Sequence, residues 1–375
     1  MPNPTTRRTF LKQTALLTAA VATDRALAAA PKPAPTTIHV WTSGKDGYHT
    51  YRIPGLVVTP KGTLLAFCEG RKTGRGDHGD IDLLIKRSTD GGRSWSDQRI
   101  VHEEGGTAKI TIGNPCPVVD EATGTVHLPF CRDNDRVFVT RSEDDGVTWT
   151  EPHEITDAVK APDWDWYATG PGHGIQKRRE PHKGRLIVPC DHRVKGHKGG
   201  WRGGGQSHLI TSDDGGRTWR RGGSTAFGMN ECEVIERADG SLLLSMRNYF
   251  GKNQRAFAVS RDAGETWSEP KHHAEVYCPT CQASLHRYAL EPRNLVLTSG
   301  PGGPGRKALT VRLSPDEGKT WPTARVLHEG PAAYSDLAVL PGGDILCLFE
   351  AGAKHPYETI RLARFPLVWL TGEGP

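Results

Sequence analysis

The feature that most constrains this chain is an octapeptide, Ser-x-Asp-x-Gly-x-Thr/Ser-Trp, that occurs five times. The copies begin at Ser88, Ser142, Ser212, Ser260 and Ser314, so successive copies are 54, 70, 48 and 54 residues apart. The Asp can accept hydrogen bonds from backbone N–H groups across a tight turn, the Gly can adopt a positive φ, and the Trp can anchor the turn by its apolar surface. Five copies at these intervals predict a repeated β-unit.

The composition agrees with many short strands joined by tight turns. The 375 residues include 44 Gly and 27 Pro, and no long window beyond the first thirty residues has helical periodicity. The hydrophobic content is adequate for a sizeable core, so disorder is not indicated. Together with the repeat, this favours one large closed β-domain over two ordinary domains.

Each octapeptide fits between the third and fourth strands of a four-strand unit. Gly-bearing turns would join the first and second strands at residues 61–62, 123–124, 183–184, 239–240 and 342–343, with residues 292–294 serving in the fifth unit. Six units then begin near Arg52, Pro115, Gly170, Glu231, Gln282 and Tyr334. We therefore predict an all-β, six-bladed β-propeller with four antiparallel strands per blade, spanning residues 38–375.

The N-terminus is predicted to be an export signal. Residues 6–12 resemble the twin-arginine motif, an apolar stretch follows, and Ala26-Leu27-Ala28 offers a cleavage site. We expect a signal peptide over residues 1–28, a linker over 29–37 and a periplasmic or secreted protein, with a disordered basic tail as the alternative. No second apolar segment suggests a membrane span. Cleavage removes four basic residues and one acidic residue, which lowers the formal charge from +5 to +2, and nothing indicates a nucleic-acid partner.

The eight cysteines permit disulfides in an exported protein, although twin-arginine substrates usually cross the membrane already folded. Cys278-Pro-Thr-Cys281 is the only CxxC. Without a second pair or suitably spaced histidines, it indicates a buried thiol or a local disulfide rather than a metal or redox site. We expect no metal and no cofactor.

The unusual polar residues are predicted to share one face of the propeller. In a blade, the turns joining strands one to two and three to four point to one face, and the remaining connections point to the other. The octapeptides therefore lie opposite a face that receives these residues: Arg52, Arg71, Asp77, Asp191, Glu231, Arg247, Arg306, Tyr334 and Glu350.

Three arginines at one axial pocket would repel each other unless an anion lies among them. Arg52, Arg247 and Arg306 therefore suggest a small acidic ligand, because forked guanidinium groups match a carboxylate in charge and shape. The alternative is that each arginine pairs with a nearby carboxylate as a structural ion pair.

The octapeptides are Asp-boxes, and with Tyr51-Arg52-Ile53-Pro54 they make the chain resemble bacterial exo-α-sialidases (neuraminidases) from about Tyr51 to Arg364. Further segments are similar to parts of that family. They are residues 76–81 (acid/base loop), 230–231 with 245–247 (glutamate and second arginine), 334–337 (nucleophile segment), 348–350 (closing strand) and 169–175 (third-blade entrance).

This resemblance implies roles for the pocket residues. Arg52, Arg247 and Arg306 would clamp the sialic acid carboxylate, Glu350 would hold Arg52, and Arg71 would lie beside the acid loop. Tyr334 would be the nucleophile, Glu231 its general base and Asp77 the acid/base. Asp80 is an alternative to Asp77, and Arg312 is an alternative to Arg306 but precedes an Asp-box inside a third strand. Asp191 is assigned no role.

The resemblance also implies a reaction. Sialic acid carries its carboxylate on the anomeric carbon, which disfavours an anionic nucleophile, and sialidases are exceptional glycosidases in using tyrosine. Retaining hydrolysis of terminal α-ketosidically linked sialic acid is expected, on sialylated glycoproteins, mucins or oligosaccharides, by a monomer. Three alternatives stay open: a non-catalytic sialoglycan-binding Asp-box propeller, a glycosidase for a related 2-keto acid sugar, and a structural propeller. Hydrolysis and transfer are not distinguished.

Overall fold

The computed structural model describes residues 34–288 and 294–372. The predicted signal peptide over residues 1–28, much of the predicted linker, and two of the three residues of the fifth predicted turn lie outside the described residues. No helix in the described ranges is long and apolar enough to cross a bilayer.

Strands account for about half of the described residues, and the three helices found there are short. In chain order the strands are β1 (Thr36–Thr42), β2 (Thr50–Val58), β3 (Leu64–Arg71), β4 (Ile81–Ser88), β5 (Arg99–His102), β6 (Ile112–Gly113), β7 (Val118–Val119), β8 (Val126–Arg132), β9 (Arg136–Ser142), β10 (His153–Glu154), β11 (Trp164–Thr169), β12 (Ile175–Gln176), β13 (Leu186–Val194), β14 (Gly205–Ser212), β15 (Arg220–Arg221), β16 (Met229–Glu236), β17 (Leu242–Asn248), β18 (Gln254–Ser260), β19 (Lys271–Tyr277), β20 (Ser284–Tyr288), β21 (Leu295–Pro301), β22 (Lys307–Ser314), β23 (Thr323–Val339), β24 (Ile345–Ala351) and β25 (Thr359–Phe365). The helices are α1 (Thr156–Val159), α2 (Gly200–Gly204) and α3 (Leu367–Thr371).

Second strands of the units are buried on both faces, as their continuous apolar runs predict. Every residue of β3 and of β24 is buried. These strands are covered by the sheets on either side, so their sequences lack the polar–apolar alternation of a sheet with one solvated face.

The strands of the described residues form five antiparallel sheets. Two have four strands (β2–β5 and β16–β19), two have five (β6–β10 and β11–β15), and one has seven in the order β1-β25-β24-β23-β22-β21-β20. The 17-residue strand β23 pairs with β22 through its first half and with β24 through its second half. The fold is all-β with the arrangement of a β-propeller.

Apolar side chains pack between neighbouring sheets. Val57 and Phe67 of the β2–β5 sheet meet Phe130 of β8 in one cluster, and Leu64 meets Leu348 of β24 in another. A further cluster packs β21 and β22 against β24 and β25 within the seven-stranded sheet. The sheets therefore surround an axis, and strands from distant parts of the chain meet there.

The Asp-box turns have the predicted geometry. In the first, Asp90 accepts hydrogen bonds from the backbone N–H groups of Arg93 and Ser94 at 2.9 and 3.0 Å, and Gly92 has a φ of 86°. The aspartates of the other four boxes accept the equivalent N–H bond from the threonine four residues later.

All eight cysteines are buried free thiols. Cys278 Sγ donates to the backbone oxygen of Cys281 at 3.2 Å. Of the two structural roles expected for the CxxC segment, the structure therefore has the buried thiol and lacks the disulfide.

Candidate active site

Tyr334 on β23 lies at the centre of a polar cluster built from separate sheets. Its hydroxyl donates a short hydrogen bond to Glu231 Oε1, from β16. Arg247, from β17, donates through Nη1 to Glu231 Oε2 at 2.7 Å and to Tyr334 Oη at 3.0 Å. A phenol and a carboxylate separated by 103 positions in the chain are thus joined directly.

The other two predicted arginines also lie against Tyr334. The guanidinium carbon of Arg52 is 5.0 Å from the centroid of the Tyr334 ring, and that of Arg306 is 5.4 Å away. Arg52 Nε donates to Glu350 Oε1 at 2.8 Å. The structure therefore brings together Arg52, Arg247 and Arg306 around one side chain.

Local irregularities in the strands accompany three of these residues. The pairing register of β2 shifts between Arg52 and Gly55, that of β16 between Met229 and Cys232, and that of β23 between Ala332 and Ser335. A β-bulge redirects a side chain from its normal alternation, and bulges are frequent beside active sites. Glu231 and Tyr334 each lie within one of these shifts, and Arg52 is the residue at which the shift in β2 begins.

The bulge in β2 includes a conformation that a β-branched residue rarely adopts. Ile53 has a φ of 61°. Glu350 Oε1 accepts the backbone N–H of Ile53 at 2.9 Å in addition to Arg52 Nε. One buried carboxylate oxygen thus stabilises both the strained backbone and the arginine that it presents.

The arginine cluster has unused donors and uncompensated charge. Arg52 Nη2 and Arg247 Nε are buried without a hydrogen-bond partner among the described residues. Arg306 donates to the Tyr357 hydroxyl at 2.5 Å, and no described carboxylate lies within ion-pair distance of it. Structural ion pairing therefore describes Arg52 and Arg247 in part but does not describe Arg306.

Asp77 lies beside this cluster on the connection between β3 and β4. Its Oδ1 accepts from Arg71 Nη1 at 2.8 Å and lies 3.6 Å from Arg52 Nη1, while its side chain is 67% exposed. Burial raises the pKa of Asp77, but Arg71 and Arg52 outweigh that effect and hold it below its usual range. Arg71 is itself paired with Glu69 at 2.7 Å.

The alternatives to Asp77 and Arg306 lie elsewhere. Burial and Asp82 raise the pKa of Asp80 against the opposing effect of Lys72, and among the described residues no ion pair joins Asp80 to the arginine cluster. Arg312 lies in β22, opposite Thr298 and Ala324, where burial lowers its pKa.

Burial and the neighbouring Glu231 raise the pKa of Tyr334 well above its usual range, against the opposing effect of the arginines. The phenol is therefore protonated in the free protein. Tyr334 can act as a nucleophile only if a base removes that proton during attack, and Glu231 is in hydrogen-bond contact to do so.

Tyr357 was missed in the sequence, whereas Asp191 was predicted to lie on this face but was assigned no role. Tyr357 lies between two arginines, with its ring 3.9 Å from the guanidinium carbon of Arg52 and its hydroxyl bonded to Arg306. Tyr357 lies in the connection between β24 and β25, which is the same type of connection as the acid loop between β3 and β4. That position in the predicted blade could have identified Tyr357 as a pocket residue. Asp191 is fully buried, and burial and Glu231 raise its pKa well above the usual range. Asn230 donates to it at 2.7 Å.

Three aromatic residues, Trp166, Trp201 and Tyr249, form what we call the aromatic wall. The rings of Trp166 and Trp201 are 5.6 Å apart, and those of Trp201 and Tyr249 are 6.0 Å apart and nearly parallel. One end of the wall reaches Arg247, 5.1 Å from the Tyr249 ring, and the other reaches His78, next to Asp77. Trp201 belongs to α2, which follows Gly199 at a φ of 94°.

The sequence of this chain is similar to a family of repeat proteins and to known sialidases. The family described as BNR repeat-like domain matches residues 62–347. The chain is 34% identical to the sialidase of Micromonospora viridifaciens over 97% of this chain and 60% of that protein, and 31% identical to mouse sialidase-3 over 84% and 91%. The chain thus spans about 60% of the length of the bacterial relatives it matches.

Solved structures give a consistent result. The Hadza microbial sialidase Hz136 superposes with a TM-score of 0.79 at 29% identity, covering 89% of this chain and 69% of that one. A leech intramolecular trans-sialidase superposes with a TM-score of 0.78 at 17% identity, covering 90% and 71%. The second likeness is one of fold alone.

Proposed function

The chain belongs to the sialidase family of BNR-repeat proteins, and from that premise we propose that it is an exo-α-sialidase. It would hydrolyse terminal α-ketosidically linked sialic acid with retention of configuration. The observation that carries the proposal is the convergence of Arg52, Arg247 and Arg306 on Tyr334, which is hydrogen-bonded to Glu231.

Binding would begin with the substrate carboxylate among the arginines. Among the described residues, Arg52 Nη2 and Arg247 Nε are buried N–H groups without partners, and no carboxylate lies within ion-pair distance of Arg306. A carboxylate supplies acceptors for these donors and the missing negative charge. Glu350 would keep Arg52 in place, and Tyr357 would orient Arg306.

The first chemical step would join Tyr334 to the anomeric carbon. Glu231 accepts the phenolic proton as Tyr334 Oη forms its bond to C2, the bond from C2 to the leaving oxygen breaks, and Asp77 protonates that oxygen. A neutral phenol avoids the repulsion that a carboxylate nucleophile would meet at a carbon bearing a carboxylate.

The second step would release sialic acid. Water attacks C2 while Asp77 accepts its proton, the bond between C2 and Tyr334 breaks, and Glu231 returns the proton to the phenol. Two inversions at C2 give net retention. Arg71 would hold Asp77 near the reacting centre throughout.

Two observations favour an enzyme over a non-catalytic binding propeller. A binding protein needs the arginines but not a phenol–carboxylate pair, and Tyr334 and Glu231 share a short hydrogen bond. It also needs no acid at the rim, whereas Asp77 is exposed and in contact with Arg52 and Arg71.

The architecture proposed is six blades. The seven-stranded sheet would be two blades that share β23, because the halves of that strand pair on opposite sides and β21 and β22 pack against β24 and β25 through side chains. We also propose export through residues 1–28 and action of a monomer on sialylated glycoproteins, mucins or oligosaccharides.

The direct test is release of a fluorophore from an aryl α-ketoside of N-acetylneuraminic acid. Wild type should turn over, Tyr334→Phe should lose most of its kcat, and Arg52→Ala should chiefly raise KM. A fluorinated sialoside that traps the intermediate should label Tyr334. Wild-type turnover that persists in Tyr334→Phe would refute the mechanism, and label on another residue would refute the nucleophile assignment.

Two further measurements separate the remaining alternatives. Parallel assays of N-acetylated and deaminated ketosides distinguish a sialidase from a glycosidase for a related 2-keto acid sugar. Nuclear magnetic resonance of the first-formed product distinguishes hydrolysis from transfer, because retaining hydrolysis gives the free α-anomer and intramolecular transfer gives an anhydro sugar.

A further inference from the structure

A second polar layer lies beneath the site, along the same two strands. Glu233 lies two residues after Glu231 on β16, and Asp336 lies two residues after Tyr334 on β23. His173 Nδ1 lies 2.7 Å from Asp336 Oδ1 and 3.8 Å from Glu233 Oε2. We call His173, Glu233 and Asp336 the axial cluster.

The axial cluster ties innermost strands together. Glu233 accepts hydrogen bonds from the Leu285 backbone N–H at 2.6 Å and from Ser284 Oγ at 2.8 Å. Asp336 Oδ2 accepts the backbone N–H of Leu56 at 2.7 Å. His173 lies between β11 and β12, so strands β2, β16, β20 and β23 and the third unit all meet here.

The donors around the carboxylates indicate that the cluster holds a proton rather than a metal ion. The ligand atoms of His173, Glu233 and Asp336 lie within 4.8 Å of one another, close enough for a cation. However, N–H and O–H groups already point at both carboxylates, and their positive ends would repel a cation placed there.

The charges within the cluster are arranged around His173. Burial lowers the pKa of His173, but Asp336, with support from Glu233, raises it to about 9. Burial and Asp336 raise the pKa of Glu233 well above its usual range. His286, 3.0 Å from His173 Nε2, has its pKa lowered by burial and by His173, so it is neutral and can accept the proton of Nε2. The nearby Cys116 thiol, with a pKa raised by burial, is also neutral.

We propose that His173 is a positioning residue that holds β16 and β23 together through Glu233 and Asp336 and thereby sets the separation of Glu231 from Tyr334. The inference rests on the proposed function for its catalytic consequence. Without His173, the buried carboxyl groups of Glu233 and Asp336 would face each other directly. The strands β23 and β16, which carry Tyr334 and Glu231, would then move apart.

The test compares His173→Gln with a matched control, His208→Gln. His208 is also buried, but it hydrogen-bonds Tyr167 and His192 within the sheet of β11–β15. Among the described residues, neither of these bonds reaches the proposed site. In His173→Gln we expect kcat for the aryl sialoside to fall at least tenfold, while the Kd of an unreactive 2,3-dehydro sialic acid changes less than twofold. The control should keep kcat within twofold.

A second variant and a crystal structure also test the positioning role of His173. If His173→Gln does not fold, Asp336→Asn should be used, because it keeps the shape of the side chain and removes the charge that lies 2.7 Å from His173. It should likewise lower kcat while leaving the ligand Kd nearly unchanged. A crystal structure of the folded variant should show Tyr334 Oη and Glu231 further apart than in wild type. An unchanged distance between Tyr334 Oη and Glu231, or equal losses in kcat and in ligand affinity, would overturn the proposal. If the wild type turns over no sialoside, the proposed function fails, whereas the crystal structures still decide the positioning.

Discussion

Glu350 Oε1 accepts two hydrogen bonds from neighbouring residues, one from Arg52 Nε at 2.8 Å and one from the Ile53 backbone N–H at 2.9 Å. The carboxylate is completely buried, and the Arg52 side chain is 5% exposed. The same oxygen therefore neutralises a buried guanidinium and holds Ile53 at its positive φ.

Glu350→Ala should accordingly harm both stability and binding. Removing one partner of a buried ion pair costs about 3–5 kcal/mol, because the other charge is left without compensation. We expect a loss of this size in the free energy of unfolding measured with urea, together with a KM raised at least tenfold. Glu143→Gln, which breaks an exposed pair with Arg141, should change the free energy of unfolding by less than about 1 kcal/mol. A Glu350→Ala protein as stable as this control would contradict the interpretation.

The pH dependence should report the arginines around Asp77. In the free protein, Arg71 and Arg52 outweigh the partial desolvation of the exposed Asp77 and hold its pKa below the usual range. A substrate carboxylate offsets their charge, so the pKa of Asp77 rises on binding, and the proton needed by the leaving group is retained to higher pH. The alkaline limb of kcat should therefore lie at higher pH than that of kcat/KM.

Arg71→Gln tests the sign of this effect. Loss of one cation disfavours the ionised carboxylate, so the limb of kcat/KM should move to higher pH. Arg75→Gln, in the same loop but contacting Arg71 only through its backbone oxygen, should leave the limb in place. A shift to lower pH in Arg71→Gln would exclude Asp77 as the group that titrates.

The repeated motif predicted the turns because its hydrogen bonds are local. Asp90 and Ser94 are four positions apart, and the same spacing recurs in every box. The counting of strands from each box then predicted which face would receive Arg52, Asp77 and Tyr334. This prediction depends only on the alternation of connections in a blade. In the structure, Arg52 does lie against both Asp77 and Tyr334.

Other parts of the site left no comparable pattern. His173 and Asp336 are 163 positions apart, and their contact depends on how whole sheets pack. The backbone N–H of Ile53, at its positive φ, donates to Glu350, 297 positions away. Trp201 lies in a glycine-rich segment. This composition predicts a loop, but it does not predict that the Trp201 ring packs against Tyr249.

Alkaline pH should weaken the fold through His173. Its pKa in the folded protein, about 9, lies above its ordinary value of 6.5, so the stabilisation is complete below about pH 6.5 and is lost as pH rises through 9. The difference between the two values sets an upper figure of about 3 kcal/mol. Urea unfolding at pH 6 and pH 9.5 should show a larger loss in wild type than in His173→Gln. Equal pH dependence in the two proteins would contradict a charged His173.

The aromatic wall should contribute to substrate affinity. It runs from Arg247 to the acid loop along one side of the arginine cluster, and Trp201 stacks on Tyr249 at 6.0 Å. Removing one such ring costs about 0.5–1.5 kcal/mol beyond the loss of buried area, so Trp201→Ala should lower kcat/KM for a sialylated trisaccharide about tenfold, chiefly through KM. Phe227→Ala provides the control, because Phe227 is 40% exposed and packs on His197 outside the wall. A KM in Trp201→Ala no higher than in that control would show that the wall does not contact substrate.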